Sequence, residues 1–297
     1  MSGQLKEVRD RITSVKSTQQ ITRAMKMVSA AKLRKAQQAI TEMRPYANRL
    51  NKMLTNILSN LEGDASSAFG TERNVENVAI GIVTSSKGLC GAFNTNITKE
   101  AIAKIEGQYA EQLANGNITI VGLGKKGFES LKKRYPNLKF VKDHVGVFSD
   151  LNYDSISAGA LHLMDGFLDG TYDRVDVCYG QFKNAALQFP KAVQFLPVPK
   201  MDKVKGKVKT KADYIFEPNK EDLLEQLIPS ILQTTFQKFV LDTHASEHGA
   251  RMTAMDSATE NAEEIMKDLK ISYNKARQEA ITKELSEIVG GAAALGG

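Results

Sequence analysis

The sequence predicts an α/β fold in which the N- and C-terminal segments form a long antiparallel two-helix coiled coil, with a separate α/β domain inserted between its arms. Two heptad grids and the segment between them carry this reading. The first grid holds Leu5, Val8, Ile12 and Val15, then Leu33, Ala36, Ile40, Met43, Ala47, Leu50, Leu54, Ile57 and Leu61. The second holds Met252, Met255, Thr259, Ala262, Met266, Leu269, Tyr273, Ala276 and Ala280. A helix with such 3-4 spacing gathers its apolar residues on one seam, and that seam needs a partner helix. The two seams stand at opposite ends of the chain, so they pair most simply with each other. Between them, β-rich apolar runs alternate with helical stretches.

The elements follow in order. The first arm, 1–61, reads as helix, with Pro45 predicting a kink near Arg44 because proline removes an amide donor and crowds the preceding turn. At ~1.5 Å per residue an arm of this length spans nearly 90 Å, too long for a compact domain of this size to bury. Residues 62–74 read as a linker. Val78–Val83 reads as a buried strand, residues 94–115 as a helix, Ile118–Val121 as a strand, and 127–134 as a short helix stopped by Pro136. Strands are also expected over 138–141, 174–182 and 193–198, and a helix over 155–168. This alternation predicts an open, mainly parallel, Rossmann-like sheet over a domain of 75–205. The lysine-rich run Lys203–Lys211 reads as a turn or edge hairpin whose charges discourage edge-to-edge pairing. The last arm, 212–297, reads as helix from about 219, restarted or kinked at Pro229, and pairs with 1–61.

Composition narrows the function classes. The chain of 297 residues is 42% apolar and 25% charged, with a net charge of +6, which is the profile of a globular protein. No apolar run approaches the ~20 residues that span a bilayer, and the N-terminus lacks the basic-then-apolar layout of a signal peptide. A cytosolic protein is the expectation. Cys90 and Cys178 are too few and too distant for a disulfide framework. Charge is uneven: between Arg11 and Thr41 there is no acid, while Lys16, Arg23, Lys26, Lys32, Arg34 and Lys35 are present. Such a basic sleeve suits an acidic protein surface, nucleic acid or an anionic membrane; against nucleic acid, Tyr46 is the only aromatic residue in 1–60.

Four motifs invite a chemical reading. Gly122-Leu-Gly-Lys-Lys-Gly127 matches the dinucleotide fingerprint, with Asp143 placed for a ribose hydroxyl. Its following helix is short, and it falls in the second β-α unit, so a tight strand-to-helix turn is the competing account. Ser85–Gly91 could favour an anion at a helix N-terminus, with Cys90 on the same turn but no histidine near it in sequence. His244-Ala-Ser-Glu-His248 fits H-x-x-E-H and places two histidines one turn apart, though no third ligand is evident. Finally, the seam is disturbed between Val15 and Leu33. Gln19, Thr22, Lys26 and Ser29 occupy grid positions, while Ile21, Met25 and Val28 sit one position off. With basic residues over the same turns, this disturbance predicts contact with an outside partner.

Those turns also carry a resemblance. Ile21-Thr-Arg-Ala-Met-Lys-Met-Val-Ser-Ala-Ala-Lys-Leu-Arg-Lys35 resembles the N-terminal signature of the gamma subunits of F-type (rotary) ATP synthases. Glu247–Asn261 and Tyr273–Val289 resemble the family's C-terminal signature, and Thr84–Asn94 its Gly-Leu-Cys-Gly loop. The resemblance implies a non-catalytic rotor shaft without a cofactor or metal, coupling proton flow through the membrane ring to ATP synthesis in the catalytic head. It implies alpha and beta subunits, the epsilon subunit and the c-subunit ring as partners, and no nucleic acid. The implied place is the cytoplasmic face of the bacterial inner membrane, reached only through the complex. Carried over by position, Arg23, Met25, Lys26 and Lys32 on the first arm, and Arg251, Arg277, Gln278, Thr282 and Glu284 on the last, match residues that meet the beta subunits or tune coupling. The tail from Ile288 to Leu295 resembles the apolar tip that turns in the collar of the head.

Overall fold

The computed structural model describes residues 3–59, 68–198 and 220–295. The Lys203–Lys211 turn, residues 62–67 of the linker and the breaks at 61, 205 and 212 lie outside them. The elements are α1 (Gly3–Ser59), a 3-10 turn (Ala68–Gly70), β1 (Val78–Val83), α2 (Phe93–Ala103), α3 (Ala110–Ala114), β2 (Ile118–Leu123), α4 (Lys125–Arg134), β3 (Lys139–Val141), α5 (Tyr153–Leu168), β4 (Arg174–Phe182), β5 (Gln188–Leu196) and α6 (Lys220–Leu295). By their internal contacts the residues form two units, 1–29 with 251–297, and 30–250.

Neither helix stops at its proline. α1 runs through Pro45 and α6 through Pro229. At Pro45, where the sequence predicts a kink near Arg44, the helical assignment runs on without a break. Pro45 and Thr41, whose carbonyl loses its amide partner, are both exposed, so solvent can take that carbonyl.

The sheet of the 30–250 unit has the order β3-β2-β1-β4-β5. β1 to β4 are mutually parallel and β5 returns antiparallel to β4. Every residue of β1 and β2 is buried, as expected for central strands covered on both faces. On one face α5 and α6 supply Leu163, Phe167, Phe236 and Val240. On the other, α2, α4 and the turn after α2 supply Phe93, Ile97, Ile105 and Leu131. α6 is therefore a layer of this unit before it becomes an arm of the other. The helix read as one piece over 94–115 is two, separated by a π-turn at Lys104–Gln108. Ala101, Ile105 and Tyr109, four residues apart, are all buried. In a regular α-helix such a row drifts by about 40° per step, and the wider turn takes up that drift.

Within this unit α1 and α6 also meet through a poorly satisfied charge. Asp242 is 1% exposed, and neither carboxylate oxygen has a hydrogen-bond partner among the described residues. Arg44 Nη2 stands 3.6 Å from Oδ1 and donates instead to the carbonyl of Phe182 at 3.1 Å. Burial pushes the Asp242 carboxyl above its ordinary 3.8, and Arg44 and Lys238 oppose this only in part. Tyr179, which also faces Asp242, is pushed up to about 12, chiefly by burial. Because the folded state disfavours the ionised acid, stability is greatest below the unfolded pKa and declines as pH rises through the raised folded value. Asp242→Asn should remove that decline, leaving the variant at least as stable as the parent at neutral pH. Thermal melts of both proteins from about pH 4 upward would check it; parallel pH profiles would refute it.

Candidate functional site

The chemistry-bearing surface of this chain is its paired arms. In the 1–29 and 251–297 unit, the arms run antiparallel. Lys26 forms an ion pair with Asp256, the Thr22 and Thr259 hydroxyls lie 2.8 Å apart, and Arg9 Nη2 donates to the Tyr273 hydroxyl at 3.1 Å. As the residue number falls on one arm, its partner's rises on the other. Every second-grid residue from Met252 to Ala280 is buried or half-buried.

The first grid behaves the same way, and this corrects the disturbed seam. Gln19 and Lys26 are half-buried, Thr22 and Ser29 buried, so the seam continues through the polar turns without shifting. The residues one position off point the other way: Ile21 is 60% and Val28 57% exposed, with Met25 half-buried between them. At spacings of four and three they share a helix face, continued by the exposed Lys32, while the exposed Arg23 lies on the opposite side of the same helix. Asp256 was not singled out as a functional residue from the sequence, and Thr22 was named there only within the disturbed seam. Thr259 and Thr22 both stood on their grids, and two hydroxyls on facing seams were the signal available.

The remaining candidate residues fall elsewhere. Arg251 is buried, whereas Arg277, Gln278, Thr282 and Glu284 are exposed. Along α6, Arg251 and Arg277 are about 40 Å apart at the helical rise, so the candidates form two groups rather than one site. From 281 to 292 every residue is exposed, and Ile281, Leu285, Ile288 and Val289 form an exposed apolar stripe.

The enzyme-like motifs are occupied by the fold itself. At the start of α4, the Gly127 amide donates to Thr84 Oγ1 at 2.8 Å and the Lys126 amide to the Ser85 carbonyl at 3.1 Å, so the donors that would cradle a pyrophosphate already hold β1. A Cβ on Gly127 would meet the Thr84 and Ile82 side chains at 2.6 and 2.8 Å, so this glycine serves helix–strand packing. Where strand order reverses, α6 closes the crevice: Thr243 Oγ1 accepts from the Gly180 amide and Ser246 Oγ donates to its carbonyl. Cys90 is buried and free, with the Asn94 amide directed at its sulfur. His244 and His248 do face each other, their Nε2 atoms 3.0 Å apart, but among the described residues no three His, Cys, Asp or Glu side chains gather as a metal site. No described helix is long and apolar enough to cross a membrane.

The chain matches known proteins along its whole length. A family profile described as ATP synthase covers residues 4–295. A protein from Cytophaga hutchinsonii described as an ATP synthase gamma chain is 50% identical over 293 residues, 98% of each chain. One of the same description from Chlorobium luteolum is 44% identical over 291 residues, again 98% of each. In structure, the chain is similar to one in the rotor of the Euglena gracilis mitochondrial ATP synthase, with a TM-score of 0.63 at 21% identity, covering 95% of this chain and 100% of that one.

Proposed function

This chain belongs to the family of ATP synthase gamma chains, and from that premise we propose that it is the central shaft coupling proton flow through a membrane ring to ATP synthesis and hydrolysis in an alpha/beta head. The observation that supports the reading most is the division of the paired arms into a closed seam and an open face. The seam uses the side chains that hold the arms together. Ile21, Val28 and Lys32 are left on one outer face and Arg23 on the other side of the same helix, apolar and cationic surface suited to an acidic partner. A shaft drives its neighbours only if it meets their conformations with different free energies. One such face, presented in turn to three equivalent positions around it, supplies that difference.

The chain itself performs no catalysis in this reading, and no cofactor is needed. Beta subunits meet Arg23, Met25 and Lys32, while Lys26 pairs with Asp256 within the rod; on the last arm Arg251 and, about 40 Å along the helix, the group of Arg277, Gln278, Thr282 and Glu284 tune coupling. The exposed stripe from Ile281 to Val289 turns within the head. The α/β unit sits on the c-subunit ring with the epsilon subunit, at the cytoplasmic face of a bacterial inner membrane, and the chain reaches the membrane only through the complex. The test replaces Arg23 and Lys32 together by glutamine in the assembled enzyme. Proton-driven ATP synthesis should fall while ATP hydrolysis persists and the chain stays folded, because both side chains are exposed and surface changes cost little stability. Undiminished synthesis would sink the reading.

A further inference from the structure

We infer that Lys26 and Thr22, with Asp256 and Thr259, are positioning residues: they lock the register of the two arms and so set where the outer face lies. This rests on the shaft reading and assigns Lys26 a role inside the rod rather than at its surface. Thr22 is 8% exposed, its hydroxyl held by Thr259 across the seam, and Lys26 is paired one turn on with Asp256. Apolar seams pair in several registers, since one heptad of apolar residues looks much like the next, and polar residues on the seam are what distinguish them. The sequence shows how sharply they do so here. A slip of one heptad either way would set Thr22 against Met252 or Met266, leaving its buried hydroxyl only the Gln19 carbonyl of its own helix, 3.1 Å away. It would set Lys26 against Gly249 or Glu263, and Arg9 against Ala280 or Met266. Only the observed register satisfies all three ties.

Such a slip moves one helix along the other by about 10 Å. Arg23, Ile21 and Val28 would then meet a partner at another height, although the arms would still be paired. The half-exposed Lys26–Asp256 pair is a weak contributor to stability on its own; its value is the penalty it places on every other alignment.

The test is a charge swap with two readouts. Lys26→Glu, Asp256→Lys and the double variant are compared with the parent, both as the purified full chain by thermal melting and in the assembled enzyme by protons pumped per ATP hydrolysed. Each single variant should lower the melting temperature and the pumping ratio, because each sets like charges face to face. The double variant should restore both towards parent values. Restored melting with a pumping ratio still lost would show that an outside partner requires Lys26, and would overturn the positioning role. Melting losses that merely add in the double variant would overturn the lock itself. A lock seen in melting, with pumping indifferent to all three variants, would instead overturn the shaft reading on which it rests.

Discussion

Gly124→Ala unfolds the α/β unit, or leaves it too unstable to purify in native form. Gly124 joins β2 to α4 at φ 102° and ψ 148°, a region essentially confined to glycine, and holding another residue there costs about 1–3 kcal/mol. The larger penalty is steric. A Cβ at this position would lie 1.8 Å from the carbonyl oxygen of Thr84 and 2.7 Å from its carbonyl carbon. Both are backbone atoms, and the backbone there cannot retreat. The Thr84 amide is bonded to the Leu123 carbonyl at 2.8 Å, and the next carbonyl, Ser85, accepts from Lys126 at 3.1 Å. Relieving the clash would part β1 from β2 at their C-terminal ends, where Thr84, Ser85 and Leu123 are all buried. A loss of about 4 kcal/mol or more follows, in the exceptional range for single substitutions and comparable to the whole stability of many domains. Gly146→Ala is the control, since no atom lies within 4 Å of its added Cβ, and it should stay within about 0.5 kcal/mol of the parent. Urea unfolding followed by circular dichroism would compare them. A folded Gly124→Ala chain of parental stability would contradict the packing described.

The same glycine shows what the sequence could and could not convey. Gly122, Gly124 and Gly127 match a nucleotide fingerprint because that fingerprint and this turn share a physical need: a backbone passing close to something. In one case the neighbour is a pyrophosphate and in the other β1, and the spacing of glycines does not distinguish them. The paired arms were legible because apolar residues at 3-4 spacing leave few alternatives, and every described grid residue with a placed side chain is at least half-buried. The polar turns of the seam were not. Gln19, Thr22, Lys26 and Ser29 interrupt an apolar pattern, and a polar residue belongs on a seam only if a polar residue faces it. That depends on the register between two segments far apart in the chain. β5 shows the same limit at shorter range. Only 193–198 read as strand, because Pro190 interrupts the run before it. The strand begins at Gln188, with Pro190 paired to Gly180. It is an edge strand, where a missing amide need not break the ladder. The Asn184 side chain, accepting from the Ala186 and Leu187 amides, forms the turn that lets β5 return.

Lys104→Met carries the second large effect, and it tests a buried charge that sequence reading missed altogether. Asp176 lies in the middle of the sheet with no exposed surface. Its Oδ2 is 2.9 Å from Lys104 Nζ and accepts from the Tyr109 hydroxyl at 2.8 Å; Arg174 Nε stands 3.8 Å from Oδ1. Lys104 and Tyr109 are brought there by the π-turn, so the carboxylate fastens the α2–α3 segment to β4. Burial, and then the charge of Asp176, push the Tyr109 phenol upward. Removing one partner of a buried pair leaves an uncompensated charge, at a usual cost of about 3–5 kcal/mol, whereas removing both charges costs far less. Because Arg174 stays close, Lys104→Met should cost about 3 kcal/mol, the lower end of that range. Asp176→Asn keeps an acceptor for Tyr109 while discarding the charge. In that background Lys104→Met should therefore destabilise much less than in the parent. Chemical denaturation of the two single variants and the double variant closes the cycle. If the two losses simply add, the ammonium and the carboxylate are not coupled, and the attachment of the α2–α3 segment to β4 rests on the Tyr109 hydrogen bond and on Ile97, Ile105 and their apolar neighbours.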